Sequence, residues 1–86
     1  MTGFQRDLLY IVAGLEGPKG LEIKDELKEV YEGEIHHGRL YPNLDNLVEK
    51  GLIDKDEIDG RTNAYRVTRR GRREIDARRE WEEQYL

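Results

Sequence analysis

The spacing of apolar residues constrains this chain more than any other feature: three runs recur at helical intervals, and at Leu52 the period changes. Phe4, Leu8, Ile11, Val12 and Leu15 form the first stripe, behind Thr2-Gly3-Phe4-Gln5, whose hydroxyl and amide three residues apart suit a capping box. That helix is expected to end near Gly14 or Gly17, because Gly17-Pro18-Lys19-Gly20 breaks it. Ile23, Leu27, Val30 and Tyr31 form a second, shorter stripe that stops at Gly33. The third is Leu40, Leu44, Leu47 and Val48, closed by Gly51 after Lys50, as helix carboxyl ends prefer. Proline lacks an N–H and fits a helix only where none is needed, so Pro42 predicts a start between Gly38 and Tyr41. His36, His37, Arg39 and Asn43 then lie at or just before an exposed amino end.

Beyond this point Leu52–Ile58 and Ala64–Val67 read as short strands around Asp59-Gly60-Arg61-Thr62-Asn63, a turn rich in Asp, Gly and Asn. Asp54, Asp56 and Glu57 weaken the first strand. Thr68 offers the N-cap of a last helix carrying Ile75, Ala77, Trp81, Tyr85 and Leu86. The expected class is mainly α with a small β-hairpin (α+β), in the order helix, helix, helix, strand, strand, helix. That is a winged helix-turn-helix.

At 86 residues there is room for one domain, with 36 % hydrophobic residues to fill it. A chain this short buries only about 60–65 % of its unfolded surface, so a partner chain is expected to help. The absence of cysteine excludes disulfides and thiolate metal sites. No apolar run approaches a membrane span and no signal-peptide core opens the chain, so a soluble, cytoplasmic protein with no membrane partner is expected.

The net charge of −4 hides a segregation. Met1–Gly60 holds twice as many acids as bases, Arg61–Arg73 holds six arginines and no acid, and the remainder is acidic again. Net charge alone argues against nucleic acid; its distribution argues for it. Arg61 at the hairpin tip is best placed for a phosphate or a minor groove, with Asn63 close behind. Arg66 could point outward from the returning strand. Arg69, Arg70, Arg72 and Arg73 begin the last helix, where cations oppose the helix dipole and need compensation. Pairing with Glu74, Asp76 or acids of the second helix is the favoured expectation, and phosphate the alternative.

Arg39 could pair bidentately with guanine, and Asn43 and Asn46 with adenine; the spacing of four and three puts all three on one face. The plain alternative is that they are solvated. Tyr41 could donate its hydroxyl to a phosphate or simply pack beside Leu44, while Asp45 and Glu49 would repel DNA and should face away. His36 and His37 are adjacent, point about 100° apart on a helix and cannot chelate one ion, so no metal site is expected. Trp81 and Tyr85 share a face beside Leu86, favouring a partner helix across a two-fold axis. No nucleophile motif or phosphate-binding glycine loop appears, so neither catalysis nor a cofactor is expected.

Gly38-Arg39-Leu40-Tyr41-Pro42-Asn43-Leu44-Asp45-Asn46-Leu47-Val48-Glu49-Lys50-Gly51-Leu52-Ile53 resembles the recognition-helix signature of the PadR-like transcriptional regulators. Gly20-Leu21-Glu22-Ile23, Gly60-Arg61 and Tyr65-Arg66-Val67-Thr68 with Gly71 extend the likeness. Leu21 departs from it, since an aromatic residue is usual there. The preponderance of arginine over lysine and the acidic surface also resemble short members from salt-loving archaea. The resemblance implies a dimeric repressor whose third helix enters the major groove of double-stranded DNA. Read with the residue chemistry above, the expected contacts are His37, Arg39, Tyr41, Pro42, Asn43 and Asn46 of the third helix and Arg61, Asn63 and Arg66 of the wing. Residues 1–73 would be the DNA-binding domain, and 74–86 would dimerise through Ile75, Trp81, Tyr85 and Leu86. With one helix after the wing, no small-molecule effector is expected. The competing reading is a winged-helix module that binds protein rather than DNA.

Overall fold

The computed structural model describes residues 1–86 as α1 (Gly3–Leu15), α2 (Gly20–Tyr31), α3 (His37–Glu49), β1 (Ile53–Asp59), β2 (Thr62–Val67) and α4 (Arg69–Glu83). This is the expected order. Thr2 caps α1: its Oγ1 accepts from the Gln5 N–H at 3.1 Å, and Gln5 Oε1 accepts from the Thr2 N–H at 3.3 Å. Gly51 follows α3 at φ +74°, a left-handed conformation that glycine reaches without a Cβ clash.

α3 begins at His37 with His36 as its N-cap, one residue before the expected range, so Pro42 lies just inside the helix rather than in its first turn. The cost is local. Pro42 has no N–H to offer the Gly38 carbonyl, and Gly38 is exposed with open space around it, so water can serve that oxygen instead.

β1 and β2 pair antiparallel from Ile53↔Val67 to Asp59↔Thr62, with an irregularity between Glu57 and Asp59. The turn is therefore tighter than expected, and Asp59 Oδ1 closes it by accepting from the Arg61 and Thr62 N–H groups at 2.9 and 3.0 Å. Those bonds hold the Asp59 carboxyl below the usual carboxylate range. Every β1 residue after Ile53 is exposed, so the hairpin stands off the core as a wing. The segment between α1 and α2 adds to it: Lys19 bridges Ala64, and the Tyr65 N–H donates to the Pro18 carbonyl at 2.9 Å. This contact locks the amino end of α2 beside the wing.

The core lies where Leu8, Ile23, Leu27, Leu40, Leu44 and Leu47 meet, all of them fully buried. α4 is pinned to its edge through Thr68, whose Oγ1 donates to the Gly51 carbonyl at 2.6 Å and accepts from the Gly71 N–H at 3.0 Å. A Cβ on Gly71 would collide with the Leu52 carbonyl. Ile75 lies one turn on and is 4 % exposed. It belongs to the protomer's own core and is not a surface for a partner helix, which corrects its expected role.

Candidate nucleic-acid interface

Leu40, Leu44 and Leu47 turn one face of α3 inward, leaving two flanks and an outer edge free. Arg39, Asn43 and Asn46 do share a flank, and it faces α1. The Arg39 guanidinium stacks 3.9 Å from the Phe4 ring centre and 5.8 Å from that of Tyr31, while its residue stays exposed. Phe4 and Tyr31 meet edge to face. The Tyr31 hydroxyl donates to Asp7 Oδ2 at 2.5 Å, a bond that raises its pKa above 10, with burial and the Asp7 charge adding.

Gln5 is 7 % exposed and organises both asparagines. Its Nε2 donates to Asn43 Oδ1 at 2.9 Å and to Asn46 Oδ1 at 3.3 Å, and Asn43 Nδ2 donates to the Arg39 carbonyl at 2.7 Å. Asn43 thus spends both ends of its amide within the chain, and Asn46 spends its acceptor. Each Oδ1 keeps a second lone pair and each Nδ2 at least one hydrogen, but the bonds to Gln5 hold both oxygens towards α1, so the expected bidentate pairing with adenine competes with them. Phe4, Gln5 and Tyr31 are parts of the site that the sequence did not reveal. Gln5 stood out only as a helix cap.

The other flank faces the wing. Tyr41 lies against Gly20, where an added Cβ would come within 2.7 Å of its hydroxyl, and His37 meets the Tyr41 ring edge-on. Tyr41, Lys19, Leu21, Arg61, Asn63 and Tyr65 line a hollow of about 260 Å³ that contains no carboxylate. Burial pushes the Tyr65 hydroxyl up to about 12, with the Asp45 charge and Tyr41 contributing. Asp45 does not hide from this side as expected; Lys55 Nζ meets it at 3.1 Å. Pro42 and Glu49 are exposed on the outer edge. Arg39 and Arg61 therefore sit on different flanks of one helix.

Arg66 pairs with Asp56 across the hairpin at 2.8 Å, an exposed contact. Arg69, Arg70, Arg72 and Arg73 form no ion pair, against the favoured expectation, because α4 packs on α1 and β2 rather than on the acid-rich α2. Towards the end of α4, Trp81 and Tyr85 have ring centres 5.1 Å apart and are 47 % and 71 % exposed, and Arg78 stacks 4.2 Å from the Trp81 ring centre. No helix is long and apolar enough to cross a membrane.

A third helix with an exposed outer edge and a projecting wing beside it define the winged helix-turn-helix class. The sequence profile of the Transcriptional regulator PadR-like family matches residues 8–77. The chain belongs to that family. It is 49 % identical to RosR in the hsRosR-S1 complex, covering 94 % of this chain and 71 % of that one with a TM-score of 0.90; a further solved RosR is that of H. salinarum. It is also similar to the transcriptional activator GvpE of Haloferax mediterranei, 28 % identical over 71 % of this chain, and spans 31 % of that relative's length. A PadR-like transcription factor from B. fragilis shares the fold, with a TM-score of 0.81 at 20 % identity over 95 % of this chain and 82 % of that one.

Proposed function

We propose that the chain regulates transcription by binding double-stranded DNA sequence-specifically as a dimer, with the amino half of α3 in the major groove and the wing on the backbone. The observation that carries this is the hollow between α2, α3 and the wing. In a chain of net charge −4 it gathers Lys19 and Arg61 around Tyr41 without one carboxylate. A polyanion is the partner this distribution suits. Arg61 and Asn63 meet phosphate or the minor groove, Tyr41 and His37 follow the backbone beside it, and Pro42 lets the helix edge approach closely. Arg39 and Asn46 address bases from the opposite flank, and Arg66 joins only when its pair with Asp56 opens.

Trp81, Tyr85 and Leu86 form the dimer contact: they are exposed apolar side chains at the end of a helix whose remaining surface is charged. Residues 1–73 serve DNA and the carboxyl part of α4 sets the half-site spacing. The protein is cytoplasmic, works without a cofactor or effector, and represses by occupying a promoter. One observation favours the opposite sign, since GvpE, which it resembles, is named an activator.

Selection of bound sequences from random duplexes at two salt concentrations tests the proposal. A palindromic motif is the expected result, and weak binding of every sequence would overturn it in favour of a protein-binding module. A reporter behind the selected site gives the direction: expression that falls when the protein is supplied supports repression.

A further inference from the structure

We propose that Gln5, which no base could reach, decides which bases the Arg39 flank of α3 accepts. The inference rests on α3 being the helix that reads bases. Gln5 is the one buried residue with an amide or charged side chain, and its orientation is forced. The Thr2 N–H can only donate, so the Gln5 atom 3.3 Å from it must be Oε1, and Lys50 Nζ approaches the same oxygen at 3.4 Å. Nε2 is thereby aimed at α3, where a donor needs acceptors. Asn43 and Asn46 both supply them by turning Oδ1 inward.

The consequence appears on the outer side. Asn43 Nδ2 is taken by the Arg39 carbonyl, whereas Asn46 Nδ2 has no partner in the chain, and the residue is partly exposed. Asn46 therefore presents a donor, next to a guanidinium that is all donors. Guanine shows two acceptors in the major groove, and cytosine shows a donor. A flank with donors alone favours guanine and opposes cytosine. Gln5 is a positioning residue: it sets the hydrogen-bonding sense of Asn46 through the cap of α1.

Gln5→Glu tests this. The carboxylate still accepts from the Thr2 N–H and Lys50, so the cap survives, but it now faces α3 with an acceptor. Asn46 must turn Nδ2 inward and Oδ1 outward. Sequence selection with both proteins at one salt concentration is expected to give guanine in the wild-type motif at the position facing Asn46 and a move towards cytosine in the variant. The relative affinity for the two matched duplexes should change about fivefold or more. An unchanged motif overturns the proposal while leaving DNA recognition standing; a wild type that selects no motif overturns both.

Side-chain amide exchange without DNA gives a second readout. The Asn46 amide protons should exchange freely in the wild type and become protected in Gln5→Glu, and equal exchange in both contradicts the proposal. Gln5→Met removes both polar atoms and serves if the first variant does not fold: its motif should lose information at that position rather than switch base. Retention of the wild-type base at full strength would refute the inference.

Discussion

The two flanks of α3 are built by opposite means. On the α1 side, Arg39 lies on aromatic rings and the asparagines hang from Gln5, so donors are fixed before a partner arrives. On the wing side, Tyr41 borders an open hollow, and the Arg61 guanidinium has no ion pair to hold it. Fixed donors suit the rigid edges of bases, where geometry carries the information. Loosely held cations suit a phosphate backbone, where proximity is enough. On the proposed reading, one helix separates specificity from affinity along its two sides.

The largest effect should erase this distinction. Gly71→Ala places a methyl group against the Leu52 carbonyl and loosens α4 from the turn after α3. The loss should be at least the ~1–3 kcal/mol usual for overpacking, read as a lowered melting temperature, with both flanks failing together.

Two gentler changes should separate the flanks. Gly20→Ala brings a Cβ within 2.7 Å of the Tyr41 hydroxyl, and the ring must swing aside. Affinity for matched and random duplexes should then fall together, with stability altered by less than about 1 kcal/mol. Phe4→Leu removes the ring beneath Arg39, a contact worth about 0.5–1 kcal/mol at an exposed site. Here the ratio of matched to random affinity should fall while random affinity holds. If both variants changed the same quantity, the division of labour would be wrong.

Alkaline titration sharpens the contrast. Tyr65 keeps its proton to about 12 when folded and loses it near 10 when unfolded. Its raised pKa therefore adds stability that is complete below pH 10 and is lost as pH climbs towards 12. Tyr31, on the other flank, is shifted the same way through Asp7. Denaturant melts across this range should decline in the wild type, and Tyr65→Phe should flatten the decline more than Tyr31→Phe does. The smallest effect is expected from Asp56→Asn, which releases Arg66 from an exposed pair worth 0 to about 1 kcal/mol: matched and random affinity should rise slightly together as Arg66 becomes free, and their ratio should hold.

The order of elements was legible because each depends on local periodicity, and the Thr2 cap and the Gly51 stop were written in short motifs. What escaped was long-range. Pro18 bonds to Tyr65, and Gln5 to Asn43 and Asn46, across spans that no local pattern encodes. Ile75 was misplaced because an apolar residue on the last helix looks the same whether it meets its own core or another chain. Arg69, Arg70, Arg72 and Arg73 were expected to find acids because cations at a helix amino end need compensation, but α4 packs on α1 and β2, away from the acids of α2. The resemblance marked the third helix; it could not say that both ends of the Asn43 amide already bond within the chain.

The central claim is that the duplex lies across α3 and engages both of its flanks at once. Nuclear magnetic resonance spectra of the protein titrated with its selected duplex test this most directly. The account predicts shifts at Arg39 and Asn46 and, in the same complex, at Tyr41 and Arg61, with the acidic end of α2 unmoved. Shifts confined to Arg69, Arg70, Arg72 and Arg73 would contradict it.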